Sequence, residues 1–307
     1  MIAGNAQSVA QIVALGRPPR YRKVAVTSVP SASTLEALLA IGQRAGDLVM
    51  QAFGSDIAVE FKGVDDPVTR ADRDANALIC TALAEAFPGI PIVAEESDPA
   101  TYAGFSSAKA VFFVDPIDGT REFIAKNPEF AVMIGLAQEG AASLGVIVCP
   151  ALERSFYGEV GAGAFEVDAR GTHRSIHVSS ISDMSDARIV VSRSRRSKRL
   201  DALLARVGSP HVIPCGSAGV KAVLVAAGEA DLYVQAGMAG MRWDACGPEA
   251  IVRAAGGRFT EATGGAFDYT SPELTNSRGF VATNGILQDR ALEAVRLLKE
   301  MAPKGRT

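Results

Sequence analysis

"VFFVDPIDGTREF" (residues 111–123) begins as an apolar run and ends in a turn that carries two acidic residues. The run predicts a buried β-strand, and Asp115 and Asp118 stand at the point where that strand ends. Pro116 prevents the strand from continuing regularly, because its ring fixes φ and its nitrogen has no hydrogen to donate. The backbone therefore turns, and we expect Asp115, the Ile117 carbonyl and Asp118 to face the same point.

The next two residues also fit a turn with a chemical role. Gly119 permits a tight backbone path, and Thr120 adds a hydroxyl that can orient a water molecule. The turn thus has the form of a metal-binding corner. A second interpretation is that Asp115 and Asp118 cap a turn or a helix, which Asp does very often. The spacing D-x-x-D alone does not decide between the two.

The segments before the corner predict helices that follow an N-terminal extension. Ser33 and Glu36 have the spacing of a capping box, and apolar residues recur at helical intervals over residues 35–49. A second helix is predicted over residues 70–87, where a Pro-Gly pair ends it. Residues 1–33 contain no sustained apolar segment of the signal-peptide form. We interpret them as a flexible extension.

The segments after the corner follow two different patterns. "EFAVMIGLAQEGAASLGVIVCP" (residues 129–150) and "RSFYGEVGAGAFEV" predict strands joined by Gly-containing turns, as in an antiparallel meander. From about residue 187, strands and helices alternate, which predicts helices packed on a sheet. The chain is therefore predicted to combine an α+β half with a largely antiparallel sheet, residues 34–183, and an α/β half, residues 184–307.

The composition is that of an ordinary globular protein without a charge bias. Its 307 residues are 48% hydrophobic, which is enough for a sizeable core. A net charge of −3 argues against a nucleic-acid polymer as partner, and the lack of any apolar stretch of about 18 residues argues against a membrane span. The four cysteines are scattered without a C-x-x-C pair. We therefore expect reduced thiols and a cytoplasmic location rather than disulfides or a zinc site.

Acidic residues stand at the ends of predicted elements in four segments. These are "KGVDDPVTRAD", "PIVAEES", the corner itself and "RWDACGPEA", which contribute Asp65, Asp66, Asp72, Glu95, Glu96, Asp115, Asp118 and Asp244. Side chains at strand and helix ends can converge on one cleft, where like charges would repel one another unless a cation is bound. Oxygen ligands of this kind suit Mg²⁺, Mn²⁺ or Ca²⁺ rather than zinc.

The same four segments resemble the motifs of the inositol monophosphatase-like, metal-dependent phosphatases. "VDPIDGT" resembles the D-P-[IL]-D-G-T signature of that family, and "RWDACGPEAIVRAAGG" resembles its second signature, W-D-x-x-[AP]-x-x-x-[IL]-x-x-x-A-G-G, from which it departs at Cys246-Gly247. "AEES" is similar to the G-E-E-S segment, with Ala94 at the usual Gly, and "DPVTRAD" is similar to the D-x-V-T-x-x-D segment. The resemblance covers residues 35–290 and implies the layered α/β sandwich of the sugar phosphatases.

The resemblance also implies a role for each residue of the motifs. The implied metal ligands are Glu95, Asp115, the Ile117 carbonyl, Asp118 and Asp244, which would hold two or three Mg²⁺ ions, with Mn²⁺ able to substitute. Asp66 and Thr120 match the pair that, with Glu95, positions the attacking water, so these three are the predicted catalytic residues. Asp72 matches a supporting acid behind them. The implied reaction is hydrolysis of a phosphate monoester by metal-activated water, without a covalent enzyme intermediate.

Other segments resemble one branch of the family, the 3'(2'),5'-bisphosphate nucleotidases. That branch follows the first signature with G-T-[KR]-E-F, as in "GTREF", whereas inositol monophosphatases more often have G-T-x-N-F, so Glu122 favours the nucleotidases. The implied substrate is a small nucleoside bisphosphate. The implied reaction removes the 3'-phosphate of adenosine 3',5'-bisphosphate to give AMP and phosphate, a recycling step of sulfur metabolism.

Basic and small residues provide the predicted substrate contacts. "SRSRRSKR" can supply a cationic site distant from the metals, and Arg193, directly after a predicted strand, is expected to point inward. The other basic residues of this segment also fit a solvated start of a helix; they are Arg195, Arg196, Lys198 and Arg199. The predicted substrate-binding residues are Gly119, Thr120, Arg193, Gly216, Ser217, Lys221 and Asp244, with Ala218 and Gly219 in the same turn.

Two other functions remain open from the sequence. One is an inositol- or other sugar-monophosphate phosphatase of the same fold. The other is a non-catalytic, metal- or phosphate-binding regulator on this scaffold, against which the intact acidic set argues. The sequence does not predict an oligomeric state.

Overall fold

A computed structural model of the chain describes residues 31–55, 59–63, 66–194, 201–202, 204–205, 208 and 211–301. The helices in this part are α1 (Ser31–Phe53), α2 (Arg70–Ala86), α3 (Thr120–Ile124), α4 (Ala218–Ala226), α5 (Trp243–Ala254) and α6 (Gln288–Met301). The strands are β1 (Val59–Gly63), β2 (Asp66–Thr69), β3 (Ile92–Ala94), β4 (Ala110–Asp118), β5 (Ala131–Gln138), β6 (Ala141–Cys149), β7 (Arg154–Glu159), β8 (Gly163–Val167), β9 (His173–Ile176), β10 (Ile189–Ser192), β11 (Val212–Cys215), β12 (Leu232–Gln235), β13 (Arg258–Glu261) and β14 (Phe280–Thr283).

The larger sheet has seven strands in the order β3-β4-β5-β6-β7-β8-β9. Strand β3 pairs with β4 in parallel, and every later neighbour pair is antiparallel. The Gly-containing turns between apolar runs therefore formed the predicted meander. Strands β1 and β2 form a separate antiparallel hairpin.

The smaller sheet has five strands in the order β11-β10-β12-β14-β13. Strand β10 is parallel to both β11 and β12, whereas β14 is antiparallel to β12 and β13. This is the predicted alternation of strands and helices, with an antiparallel edge added. The larger sheet ends at Ile176 and the smaller one begins at Ile189. The division near residue 183 stays a prediction.

The alternation of side chains along β4 shows how the larger sheet is covered. Phe112 and Val114 belong to a core that includes Leu38 of α1 and Ile79 of α2. Phe113, on the opposite face, belongs to a second core. The sheet is thus buried on both faces, which accounts for the unbroken apolar run at the start of the corner sequence.

That second core lies between the two sheets and contains both central helices. It includes Val220 of α4, Ile251 of α5 and Tyr233 of β12. The other face of the smaller sheet, with Leu232, packs with Val295 of α6 in a third core. The layers therefore run helix, sheet, helix, sheet, helix, which is the predicted layered α/β sandwich.

The start of the fold differs in one detail from the sequence prediction. Helix α1 begins at Ser31, so Ser33 lies inside its first turn, and the prediction of a capping box at Ser33 and Glu36 was wrong. The rest of the predicted extension, residues 1–30, lies outside the described residues. So do residues 195–200, where the sequence also fits the start of a helix. No helix in the described part is both long and apolar enough to cross a membrane.

Candidate active site

The corner at the end of β4 forms as Pro116 predicts. The pairing of β4 with β5 is regular up to Asp115 and becomes irregular between Asp115 and Asp118. Within the irregularity the Ile117 N–H donates to Asp115 Oδ1 at 3.0 Å. Gly119 follows with φ +94°, a left-handed conformation that favours glycine.

Three carboxylates converge at this corner. Asp115, Asp118 and Asp244 each offer an oxygen, and these oxygens all lie within 4.8 Å of one another. Asp115 and Asp118 are buried, whereas Asp244 is half-buried in the first turn of α5. Strand β4 and helix α5 belong to different halves of the chain, so the cluster joins them.

Asp118 is oriented by the start of α4. The Gly219 N–H donates to Asp118 Oδ2 at 2.7 Å, and the Ser217 hydroxyl donates to the same oxygen. Ser217 has φ +49°, unusual for a residue with a side chain. The predicted Gly/Ser turn therefore holds a carboxylate of the cluster.

Asp244 is oriented by the loop that precedes α5. The Met241 N–H donates to Asp244 Oδ2 at 2.5 Å. Gly240 lies beside it with φ +70°, and a Cβ at that position would come within 2.2 Å of Asp244 Oδ2. A glycine at residue 240 is thus a geometric requirement of the carboxylate's position.

The charges of the cluster are not balanced among themselves. Burial raises the pKa of Asp115 well above its usual range, and the negative charges of Glu95, Asp118 and Asp244 raise it further. A group of hard oxygen donors with excess negative charge is what a divalent cation requires. The residues present therefore fit a bound metal ion.

Other predicted residues surround the cluster. Glu95 lines the same cavity as the cluster but is not one of its three carboxylates. Thr120 Oγ1 lies 3.1 Å from the Ile117 carbonyl oxygen and 3.2 Å from Asp72 Oδ1. Asp72 also accepts from the Thr69 N–H at 2.8 Å, so the start of α2 is tied to the corner. Burial raises the pKa of Asp72, although hydrogen bonds from Thr69 and Thr120 act in the opposite direction.

Some predicted residues lie beyond what the structure describes. The backbone of Asp66 is part of β2, but its side chain lies outside the described part of the structure, as does residue 65. The same holds for Arg195, Arg196, Lys198 and Arg199 of the basic segment. Their predicted roles stay predictions.

The cluster lies in a cavity of about 460 Å³ between the two halves. Of the predicted substrate-binding residues, Gly119, Thr120, Ser217, Lys221 and Asp244 line this cavity, together with Ala218 of the same turn. Gly216 does not line it. Instead it packs against Glu122, whose Cγ lies 2.5 Å from where a Cβ on Gly216 would be. Glu122 therefore limits how closely the turn at Gly216 can approach the corner.

Arg193 also does not line the cavity. Its guanidinium pairs with both oxygens of Glu129, at 2.7 Å and 3.0 Å, and donates to the Pro214 carbonyl at 2.9 Å. Glu129 accepts in addition from the Gly216 N–H at 2.7 Å. The expectation that Arg193 points inward was wrong, because an acidic residue of the other half binds its guanidinium.

Lys221 is a buried cation beside the carboxylates. Its ammonium donates to the carbonyls of Gly216 (2.9 Å) and Ser217, and it lies 5.2 Å from the centre of the Tyr233 ring. Burial lowers the pKa of Lys221, and the negative charge of Asp118 opposes this shift. Lys221 thus both supports the turn and borders the cavity.

The cavity has further walls that sequence reasoning missed. These are Pro67, Arg121, Glu122, Ser192, Ser194, Tyr233, Gln235, Met241, Trp243 and Phe280, with the backbone at residues 239–240. The position of Arg121 directly after Thr120 in "GTREF" was a signal for one of them. No sequence signal marked the cavity residues of β10, β12 and β14, because only the packing of the two sheets brings the ends of these strands near the corner.

Comparison with known protein families identifies the chain. The model of the inositol monophosphatase family matches residues 31–300. The chain belongs to the inositol monophosphatase family. This family is metal-dependent, and the three-carboxylate cluster at Asp115, Asp118 and Asp244 can bind a metal ion.

Individual members of the inositol monophosphatase family resemble the chain over most of its length. The 3'(2'),5'-bisphosphate nucleotidase CysQ of Salmonella typhimurium is 34% identical, over 81% of this chain and 99% of that protein. Among solved structures, CysQ from Bacteroides thetaiotaomicron superposes with a TM-score of 0.71 at 26% identity, over 84% of this chain and 99% of the other. The inositol monophosphatase from Anabaena superposes with a TM-score of 0.70 at 25% identity, over 86% and 96%.

Proposed function

We propose that the protein is a Mg²⁺-dependent phosphomonoesterase that converts adenosine 3',5'-bisphosphate to AMP and phosphate. The observation that carries the proposal is the convergence of Asp115, Asp118 and Asp244 within 4.8 Å in a cavity large enough for a nucleotide. Ligand cavities generally enclose roughly 300–1,000 Å³, and this one encloses about 460 Å³.

The proposed metal ligands are the three carboxylates together with Glu95 and the Ile117 carbonyl. Bound Mg²⁺ would lower the pKa of a water molecule and neutralise charge on the phosphoryl oxygens. The chain's own residues hold this set in place: the Ser217 hydroxyl and the Gly219 N–H orient Asp118. The Met241 N–H orients Asp244.

The remaining proposed catalytic residues orient the water. The Thr120 hydroxyl lies between Asp72 and the corner, so its position is fixed relative to the carboxylates. We assign the attacking water to Thr120, Asp66 and Glu95, with Asp72 as the acid that supports Thr120. The proposed mechanism requires no histidine, and none of the described residues that line the cavity is a histidine.

The choice of substrate rests on the relatives and on the cations of the cavity. The Salmonella relative is named as a 3'(2'),5'-bisphosphate nucleotidase. A second phosphate on the substrate requires positive charge in the cavity, and Lys221 and Arg121 are cationic residues that line it. We therefore assign the second phosphate to these residues rather than to Arg193, which Glu129 already binds.

The main alternative is an inositol- or other sugar-monophosphate phosphatase. The Anabaena inositol monophosphatase superposes about as well as the CysQ structure does, so the fold does not distinguish this alternative from the nucleotidase. In that case Lys221 and Arg121 would face hydroxyl groups instead of a phosphate.

The four cysteines are free thiols, and for either substrate we propose a reducing, cytoplasmic location.

Phosphate release tests the proposal directly. The protein is incubated with adenosine 3',5'-bisphosphate or inositol 1-phosphate, with Mg²⁺ or with chelator. Asp115→Asn is assayed beside it, with Asp47→Asn at an exposed position of α1 as the matched control. We expect Mg²⁺-dependent release with a strong preference for the bisphosphate. Asp115→Asn should lower kcat/KM at least about 100-fold, since even groups behind a metal ligand contribute about 10- to 100-fold.

Each contrary result has a distinct meaning. Equal or faster release from inositol 1-phosphate would refute the nucleotidase assignment and leave the metal site standing. Full activity of Asp115→Asn would refute the metal site itself. Absence of phosphate release from both esters would favour the non-catalytic regulator.

A further inference from the structure

Gln235, the last residue of β12, places a side-chain amide at the wall of the cavity. The residue is half-buried. No hydrogen bond joins its side chain to any residue that the structure describes. A polar group in such a position is available to a ligand, because a half-buried amide is stabilised by a hydrogen-bonding partner.

The register of the smaller sheet gives this amide defined neighbours. Side chains two residues apart share a face of a strand, so Gln235 lies on the same face as Tyr233, which packs between the two sheets. Gln235 is directly opposite Phe280 in the antiparallel pair of β12 and β14. On β10, Val190 pairs with Tyr233, which places Ser192 on this face as well. Ser192, Gln235 and Phe280 therefore form one row along the strand ends.

This row and the carboxylates occupy different parts of one cavity. The carboxylates come from β4 and α5, whereas Ser192 and Gln235 end the parallel strands β10 and β12. Open α/β sheets bind ligands beyond the carboxyl ends of their parallel strands. A ligand whose phosphate is at the carboxylates can thus extend over the row.

The row has the chemistry of a nucleobase site. The largely buried rings of Tyr233 and Phe280, whose centres lie 4.9 Å apart, form an apolar part of the cavity wall beside the amide. The Gln235 amide provides one donor group and one acceptor beside them. A base can use both the amide and the aromatic wall, whereas the hydroxyl groups of a sugar phosphate can use only the amide.

We propose that Gln235 reads the edge of an adenine base and makes the enzyme prefer adenosine over guanosine bisphosphates. This inference rests on the proposed function. A glutamine amide pairs with adenine through N6–H and N7, whereas guanine presents two acceptors, O6 and N7, and leaves the amide oxygen without a donor. One such pair of hydrogen bonds is expected to make kcat/KM about tenfold higher for the adenosine substrate than for the guanosine substrate.

The test compares adenosine and guanosine 3',5'-bisphosphates as substrates of the wild type and of two variants. Gln235→Leu keeps the size of the side chain and removes both hydrogen-bonding groups. It should raise KM for the adenosine substrate about tenfold with kcat retained, and it should leave KM for the guanosine substrate unchanged, because the contact lies away from the reacting phosphate. Gln235→Arg should invert the preference, since arginine pairs with guanine O6 and N7.

The same change at an exposed glutamine of α1, Gln51→Leu, is the matched control and should keep the wild-type ratio of the two substrates. Equal kcat/KM for the two substrates in the wild type would overturn the inference while leaving the nucleotidase function intact. So would a ratio that stays at the wild-type value in both Gln235 variants. If the wild type with Mg²⁺ releases no phosphate from either bisphosphate, the proposed function fails, and this inference fails with it.

Discussion

A single glycine decides where the carboxylate of Asp244 can lie. Gly240 has φ +70°, and a Cβ there would come within 2.2 Å of Asp244 Oδ2, a separation that real atoms do not tolerate. The same oxygen accepts the Met241 N–H, so it cannot move away without losing that hydrogen bond. The position of this proposed metal ligand therefore depends on a residue without a side chain.

Gly240→Ala is expected to weaken the metal site while the protein stays folded. Displacing Asp244 should lower kcat/KM about 10- to 100-fold, the range found for residues that orient metal ligands, and should raise the Mg²⁺ concentration for half-maximal activity. The matched control is Gly171→Ala, with a similar φ of +73° but nothing within 4 Å of the added carbon. Equal activities of the two variants would contradict this account, because backbone strain alone would then explain both.

The residues of the corner also show what a sequence can predict. Pro116 and Gly119 act on the backbone next to them, so the break in β4 and the turn after it follow from local rules. The partner of Asp118 does not, because Gly219 lies 101 positions away. The same limit explains the error at Arg193, since nothing near it in sequence announces Glu129 as the partner of its guanidinium.

At the scale of elements, close packing of α5 on the larger sheet delivers Asp244 to the corner. Gly247 faces two glycines of that sheet: a Cβ on Gly135 would lie 2.5 Å from the Gly247 nitrogen, and one on Gly145 would lie 2.4 Å from its oxygen. The backbones of α5 and of the larger sheet are thus in direct contact. The strand periodicity predicts β5 and β6, but it gives no sign that their glycines set the depth of a helix from the other half.

Gly145→Ala is expected to push α5 away from the sheet. The added carbon would also lie 3.0 Å from Ile251 Cγ1, so the free energy of unfolding should fall by about 1–3 kcal/mol, the usual cost of overpacking. Denaturant unfolding measures this change, and the Mg²⁺ dependence of activity shows whether Asp244 moves with the helix. Gly54→Ala, where nothing lies closer than 3.8 Å, should be unaffected. An unchanged free energy of unfolding for Gly145→Ala would contradict the packing argument.

At the scale of the whole molecule, the two halves meet through a shared core and through charged contacts. The core between the sheets takes side chains from both halves. Arg154 of β7 bonds Glu229, which follows α4, and Arg193 bonds Glu129 across the same boundary. The carboxylate cluster is a third junction, but a repulsive one without a cation, since Asp244 raises the pKa of Asp115. A bound divalent cation should therefore stabilise the entire molecule and not the corner alone.

The pH dependence of that stabilisation has a definite sign. The pKa of Asp115 is raised in the folded protein. Without metal, the protonated side chain therefore contributes to the free energy of unfolding. This contribution is fully present below the unfolded pKa, about 3.9, and is lost as the pH rises through the folded pKa. Metal requires the ionised carboxylates and competes with protons. The rise in Tm caused by Mg²⁺ should thus be larger at about pH 8 than at about pH 5.5. Thermal unfolding of Asp115→Asn should show a much smaller rise at both pH values, because the variant lacks the central charge. A rise that is equal at the two pH values in the wild type would mean that Mg²⁺ stabilises the fold somewhere other than this cluster.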